Sequence, residues 1–419
     1  MIHLILKKTK ILSGVLFPTI FFLFFYSAYS QEYSIEDIQK RVEDIGKLRF
    51  IKDVPFRILD KKELESYLNL YFSNEYPDKL ADLEQKFLKY FGFTDSYINL
   101  KELRKSILLK NVAGFYDERP DSKTLFAVSS SEKINYLTSL VLVHELRHAI
   151  QDQYFNLNKL IPPVSDFDDR KFAILAALEG DATFLMVSYA GLDPSIMSSF
   201  SESSNFIEVA SNLSSIELKN APLVLKKQLL MPYLEGLNFI NYIYKKGGWE
   251  KINKIFSKPP TSSEEIIHPE KYLNNDEKPK NFNLNDKKIP GLKKIYSGVI
   301  GEFYIQTLLE KTLERSISRN AAEGWNGDFY SIFENDKKYL VVWKSSWDSE
   351  KDADEFFLSI KEFSIKDNTG SVILNENGSL LIKSDSGKPE IIYVYLKKDN
   401  NDVEFLKSND KIIIERYMK

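Results

Sequence analysis

Residues 136–155 read YLTSLVLVHELRHAIQDQYF. The stretch has the length and make-up of a long helix, apolar enough through Leu140-Val141-Leu142-Val143 to be buried. Within it His144-Glu145-Leu146-Arg147-His148 spells H-E-x-x-H. Four residues make slightly more than one helical turn, so both imidazoles leave the same face and can bind one cation. Glu145 stands beside them, near enough to hold a metal-bound water and accept its proton. With four histidines in 419 residues, coincidence produces this pattern on the order of 10⁻³ times per chain. A helix carrying two solvated histidines is a poor alternative, because the apolar approach pulls the segment into the interior.

Working outward, 419 residues exceed what one core usually serves, so two or more domains are expected. Hydrophobic residues at 43% and charged residues at 28% are the balance of an ordinary globular chain. Fifty-seven basic against 60 acidic residues leave no basic surplus for a phosphate backbone, so nucleic acid is not an expected partner. Cysteine is absent, which removes disulfides, zinc fingers, iron–sulfur clusters and thiol nucleophiles. Any metal must be held by His, Asp and Glu.

The amino terminus has the parts of a signal peptide over residues 1–30. Lys7, Lys8 and Lys10 precede an apolar run from Ile11 to Tyr26, and Ala28-Tyr29-Ser30 offers small residues for cleavage between Ser30 and Gln31. An uncleaved membrane anchor is the alternative, since the run has the length where both readings overlap; Pro18 within it favours cleavage. No Cys follows, so no lipid anchor is expected. The protein is then exported: periplasmic, held in the cell envelope or secreted, and membrane-bound only if the segment is retained.

The remaining pattern is α+β. Ser34–Leu109 is mostly helical, with Asp60 as N-cap of Lys61–Phe72 and a short strand at Val54–Leu59 whose Pro55 suits an edge or strand start. Val112–Tyr116 and Thr124–Ser129 form a hairpin, and a second long helix spans about Asp169–Tyr189. Ser198–Ser215, rich in serine, reads as a surface loop or as a lid over a neighbouring cleft. Helix Leu234–Lys246, Gly247-Gly248 and helix Trp249–Phe256 follow. Asn274–Lys288 is dense in Asn, Asp, Lys and Pro and reads as a linker. Beyond it lie a helix to about Arg319, an alternating segment Asp328–Trp347, a helix Ser349–Phe363 and short strands between turns. The expected division is 31–275, a linker at 276–290, and a smaller α+β domain at 291–419.

A catalytic zinc site usually takes three protein ligands and leaves one position for water. No histidine lies between His148 and His268, so the third ligand is sought among carboxylates. Glu179 heads Glu179-Gly180-Asp181-Ala182 on the next long helix, and the small apolar residues Leu175-Ala176-Ala177-Leu178 before it suit close helix packing. Asp152, at i+4 from His148, and Asp181, two beyond Glu179, are candidates to orient the histidines. His268 either donates to the oxyanion of a scissile carbonyl or caps a turn before Pro269.

His144–Gln153 followed by Ala177-Leu178-Glu179-Gly180-Asp181-Ala182 resembles the gluzincin branch of zinc metallopeptidases. More narrowly, the chain resembles an uncharacterised group of exported bacterial metallopeptidase-like proteins. The likeness includes Gly114-Phe115-Tyr116-Asp117, Tyr233-Leu234-Glu235-Gly236, Gly247-Gly248-Trp249 and the segment from Pro259-Pro260 to His268-Pro269-Glu270-Lys271-Tyr272. It continues into Gly324–Asp328 and Trp343–Trp347, and so covers most of residues 35–360. It implies a mostly helical zincin-like (peptidase MA-like) catalytic domain with a small edge hairpin, and one zinc ion per chain held by His144, His148 and Glu179. It also implies Glu145 as general base and a peptide or protein substrate paired as an extra strand with an edge such as Thr124–Ser129. Two features depart from the pattern: Thr183 stands where an E-x-x-x-D aspartate is usual, and the electrophile is left to His268 or a tyrosine such as Tyr189. The other reading is a catalytically inactive metallopeptidase-like scaffold that acts as an extracytoplasmic binding protein; the intact Glu145 argues against it.

Overall fold

Short polar side chains start many of the helices. In the computed structural model, which describes residues 32–195, 206–274, 279–280, 282, 289–376, 379–384 and 390–419, Ser34 caps α1 (Ile35–Gly46) by accepting from Asp37 N. After strand β1 (Phe56–Leu59), Asp60 and Glu63 form a capping box at the head of α2 (Lys61–Asn74). Then come α3 (Asp78–Phe91), α4 (Leu100–Asn111) and the hairpin of β2 (Gly114–Asp117) and β3 (Thr124–Val128). Asn135 caps α5 (Tyr136–Phe155), and after the single turn α6 (Leu157–Leu160), Asp168 caps α7 (Asp169–Tyr189). The expected signal peptide lies outside the described residues.

The two long helices are apolar nearly all round and are therefore buried nearly all round. Among the described residues α7 is long and apolar enough to cross a membrane, but it runs through the interior of the fold. The small sheet has the order β1-β3-β2, with β1 parallel and β2 antiparallel to β3. β3 is thus hydrogen-bonded on both sides. The edge expected at Thr124–Ser129 is the middle of the sheet, and the outer strands are β1 and β2.

Beyond α7, residues 198–205 of the serine-rich stretch lie outside the described residues. The rest of that stretch is helical rather than loop: α8 (Phe206–Leu213) and α9 (Ile216–Lys219), with Ser215 as cap. Its serines are tolerated because Ser211 Oγ and Ser214 Oγ donate back to the carbonyls of Glu208 and Ala210. Helix α10 (Leu223–Ile252) begins eleven residues earlier than expected and runs through Pro232, which removes one backbone donor while Leu225, Leu230, Met231 and Leu234 bury the same helix. Its regular course breaks at Gly247 and Gly248, the latter at φ +62°. Two short helices follow, α11 (Ser263–Ile267) and α12 (Pro269–Asn274).

Helices α7 and α10 cross backbone to backbone. A Cβ on Gly180 would lie 2.1 Å from the carbonyl carbon of Gly236, and one on Gly236 would lie 1.9 Å from the carbonyl oxygen of Ala176. No side chain fits at either position.

The C-terminal region opens with a strand rather than a helix, β4 (Lys293–Gly298). A bulge between Lys294 and Tyr296 breaks its alternation and hides it from a period-two reading. Helices α13 (Gly301–Leu309) and α14 (Arg315–Ala322) precede β5 (Trp325–Glu334), β6 (Tyr339–Trp347) and α15 (Glu350–Asn368). Strands β7 (Ser371–Glu376), β8 (Ser379–Lys383), β9 (Tyr393–Asp399) and β10 (Asp402–Ser408) and helix α16 (Lys411–Met418) complete it. Its seven strands form one antiparallel sheet in the order β4-β5-β6-β10-β9-β8-β7. The fold is α+β, as expected.

The sheet and the helices share one apolar core that runs from Ile38 to Phe405. Phe87 packs on Tyr330 at 5.2 Å between ring centres, Phe172 stacks on Phe303 at 3.7 Å, and Tyr90 on Tyr339 at 4.1 Å. The opposite face of the sheet holds a smaller cluster of Leu340, Val342 and Leu406 under Ile413 and Ile414 of α16.

The helix crossing gives a direct test. Gly236→Ala forces α7 and α10 apart, and overpacking of this kind costs about 1–3 kcal/mol. Urea unfolding of the metal-free variant is expected to show that loss. An unchanged midpoint would mean that the helices do not meet at Gly236.

Candidate metal centre

α5 and α7 pack side by side and bring three residues to one point. His144 Nε2 lies 3.0 Å and His148 Nε2 3.4 Å from Glu179 Oε2, and the two imidazole nitrogens are 3.1 Å apart. All three residues are buried. Tetrahedral donors at about 2.0–2.1 Å from one ion stand about 3.3 Å from one another, so this spacing is that of ligands around a single cation. The group can hold a metal ion.

Burial and mutual charge set the protonation of the group without an ion. Burial opposes the charged form of His148, but the Glu179 and Glu145 carboxylates outweigh it and push the imidazole up to about 9. Burial likewise works against the Glu179 carboxylate, yet His148 and His144 hold it down to about 2. His144 falls below the usual histidine range because burial dominates there. A proton on His148 therefore occupies part of the role an ion would take, and binding an ion must expel it.

Glu145 is fully buried and is pushed up to about 8, chiefly by burial. Its Oε2 accepts from the backbone N–H of Tyr116 at 2.8 Å. Its Oε1 is buried with no hydrogen-bond partner. A buried carboxylate oxygen left open is costly, and a water on an ion held by the three donors would satisfy it. The donor set and this open oxygen both fit a metal with a bound water.

Tyr116 holds the strand to the helix at two points. Its N–H meets Glu145 and its hydroxyl donates to Asp152 Oδ2 at 2.9 Å, so β2 is registered against two turns of α5. Asp152 also pairs with Lys123 and accepts from Leu157 N. It is therefore not the partner of His148, whose Nδ1 lies 2.8 Å from Gln151 Oε1. Asp181 accepts from Arg147 Nε and Gln151 Nε2, each at 2.8 Å, rather than orienting His144 directly. Arg147, 1% exposed, also donates to Asn253 Oδ1 and lies over the Trp249 ring.

His268 is not one of the three convergent donors. Its hydrogen bonds and ion pairs run to Glu302 at 3.1 Å and Glu270 at 3.9 Å. Tyr189 sits ten residues beyond Glu179 on the same helix, about 15 Å along the axis, under the guanidinium of Arg41. The aromatic ring beside His144 is Tyr233 of α10, at 5.8 Å between centres. Sequence reasoning passed over Gln151, Arg147 and Tyr116 as positioning groups. Gln151 at i+3 and Asp152 at i+4 both lie one turn above His148, so spacing alone does not choose between them.

Two measurements check the group. Glu179→Ala is expected to weaken metal binding strongly while the circular dichroism of the chain is kept; full metal content would move the third ligand elsewhere, Asp181 first. In the wild type, binding at pH 7 should release at least about one proton per ion. His148 is protonated below about 9, so the release should fade as pH rises past that value. Calorimetry in buffers of different ionisation enthalpy reads it directly, and no release at pH 7 would mean that His148 is already neutral before the ion binds.

A family described as a domain of unknown function (DUF8575) matches residues 291–411, from just before β4 to the start of α16. The group of His144, His148 and Glu179 lies outside that match. No curated protein and no solved structure matches the chain.

Proposed function

We propose that the chain is an exported, gluzincin-type zinc metallopeptidase that hydrolyses peptide bonds. The observation that carries this reading is the open Oε1 of Glu145 beside three convergent donors. Two imidazoles and a carboxylate suit zinc, which takes N and O ligands and keeps an open position at catalytic sites. When bound, zinc would supply Lewis acidity and lower the pKa of a water towards neutrality. Glu145 would take up a water proton at Oε1 while Oε2 stays on Tyr116 N, and would return it to the leaving amine as the hydroxyl adds to the scissile carbonyl and its C–N bond breaks. Burial raises the proton affinity of Glu145 above that of an exposed glutamate, which suits a base working near neutral pH.

An extended peptide substrate pairs with β2, the outer strand beside Glu145, rather than with β3. The Tyr116 N–H turns away from β3, so the clamp on Glu145 lies on the side of β2 that pairs with no strand of the sheet. The positive n-region and apolar run of residues 1–30 support export.

Glu145→Gln tests the proposal. Gln is nearly isosteric and still hydrogen-bonds water but cannot take its proton. Zinc content should be retained while hydrolysis of a peptide library falls by about 10²–10⁴-fold. Undiminished turnover in this variant would overturn Glu145 as the base, and a zinc-loaded wild type that cleaves nothing in the library would overturn the peptidase reading in favour of the scaffold.

A further inference from the structure

We propose that Gln151 is the positioning residue that fixes His148 for the ion, and that Asp181 and Arg147 act on the ion-binding group through it. The proposal rests on the metal-site reading above and extends it to residues that touch no ion.

The argument is one of donors and acceptors. Gln151 is 1% exposed, and its amide has two hydrogens and one oxygen to place. Nε2 donates to Asp181 Oδ2 at 2.8 Å and to the Leu178 carbonyl at 3.2 Å. Both are acceptors, so turning the amide over would set its oxygen against two oxygens. The side chain therefore has one orientation, and Oε1 faces His148 Nδ1 at 2.8 Å. An amide oxygen can only accept, so Nδ1 carries hydrogen and the lone pair of the neutral ring sits on Nε2. Nε2 is the atom that faces His144 and Glu179. Once the ring is neutral, its tautomer is thus the one that a cation requires, and the proton that an ion displaces is the one on Nε2.

Asp181 is fixed in turn. It is fully buried, and its Oδ2 also takes the N–H of Arg147 Nε. Arg147 has no acceptor atom to offer, so the order of donation along Arg147, Asp181, Gln151 and His148 cannot reverse. The far end of the chain lies just past the break in α10. Arg147 Nη2 donates to Asn253 Oδ1 at 2.7 Å, and its guanidinium lies 5.4 Å from the centre of the Trp249 ring. Gly248, in the left-handed region, makes the turn that brings Trp249 back onto Arg147. Asn253 Nδ2 in turn donates to the Gly46 carbonyl, which ties in the end of α1. Four helices therefore converge on the orientation of one imidazole. The Glu179-Gly180-Asp181 sequence has a physical reason here: the ligand and the residue that orders a second ligand sit two positions apart on α7.

The test uses the full-length chain with zinc as the probe. Gln151→Met keeps the volume and removes both the acceptor and the donors. Zinc affinity, measured by competition with a chelator, should fall by about 10–100-fold. Asp181→Asn alone should also weaken binding. In the Gln151→Met background it should add little, because its effect passes through the amide already removed. Histidine-selective ¹⁵N labelling gives an independent readout in a chain with four histidines. The zinc-loaded wild type should show His148 bound through Nε2 with a slowly exchanging Nδ1–H, lost in Gln151→Met. Equal zinc affinity in wild type and Gln151→Met overturns the role of Gln151 and leaves the metal site standing. Full additivity of the two substitutions overturns the relay. Coordination through Nδ1 in the wild type overturns the proposal even if no variant folds, and a wild type that binds no zinc overturns this inference together with the metal site.

Discussion

The contact of α7 with α10 at Gly180 and Gly236 governs the rest of the site. Glu179, Gly180 and Asp181 point in three directions because successive helical residues turn by about 100°. Glu179 faces the histidines, Gly180 faces the backbone of α10, and Asp181 faces Arg147 and Gln151. Any side chain at the crossing would displace the helix, and with it both carboxylates on either side. Two glycines inside helices cost about 1 kcal/mol each in propensity. That cost is offset by a backbone approach that holds Glu179 Oε2 within 3.0–3.4 Å of two imidazoles.

Two buried ionic clusters in this chain show how partner counting separates scaffold from chemistry. In one, Glu84 accepts from Tyr76, Arg104, Ser165 and the backbone of Asp166, while Asp166 accepts from Arg104 and Lys171. Arg104 also lies over the rings of Tyr76 and Phe167. Every carboxylate oxygen there is answered from within the protein, and the cluster simply joins α3, α4 and α7. The other cluster is the His144–His148–Glu179 group, where three lone-pair atoms converge and Glu145 keeps an oxygen open. Burying an ionised group without a partner costs several kcal/mol. The first cluster is closed on itself, whereas the donors of the second lie at the spacing that could hold a metal ion.

Much of this was legible in the residues. The bounds of α5 and α7 follow from Asn135 and Asp168 as caps and from uninterrupted apolar composition between them. H-E-x-x-H fixes its own geometry on any helix, and the separation of Glu179 from His148 suits a returning helix. What escaped was decided by tertiary contacts. Asp152 is an equally placed partner for His148 until Tyr116 and Lys123 claim it. β4 is hidden by a bulge, and the start of α10 by a proline that buried leucines carry through the helix. The edge strand was misplaced because sequence order says nothing of which hairpin strand β1 joins; parallel pairing of Phe56–Leu59 with Leu125–Val128 puts β3 in the middle.

The segment from Pro259 to Tyr272 is the instructive case, because its polar residues invite a chemical reading and its contacts are those of a joint. Ser263 N donates to Asp169 at the start of α7, and Ser263 Oγ accepts from Phe303 N on α13. Glu264 pairs with Lys271, which also reaches Asp348 beside α15, and His268 meets Glu302 on α13. Asp169 is fully buried against Gly301, where a Cβ would lie 1.8 Å from its carboxylate. The first turn of α7 is therefore clamped between this segment and the C-terminal region. Glu179 lies ten residues further along the same rigid helix. The C-terminal region holds none of the three convergent donors, yet Val299 and Gly301, just past β4, fix the height at which α7 enters the core. Through α7 they also fix where the third donor meets the two histidines.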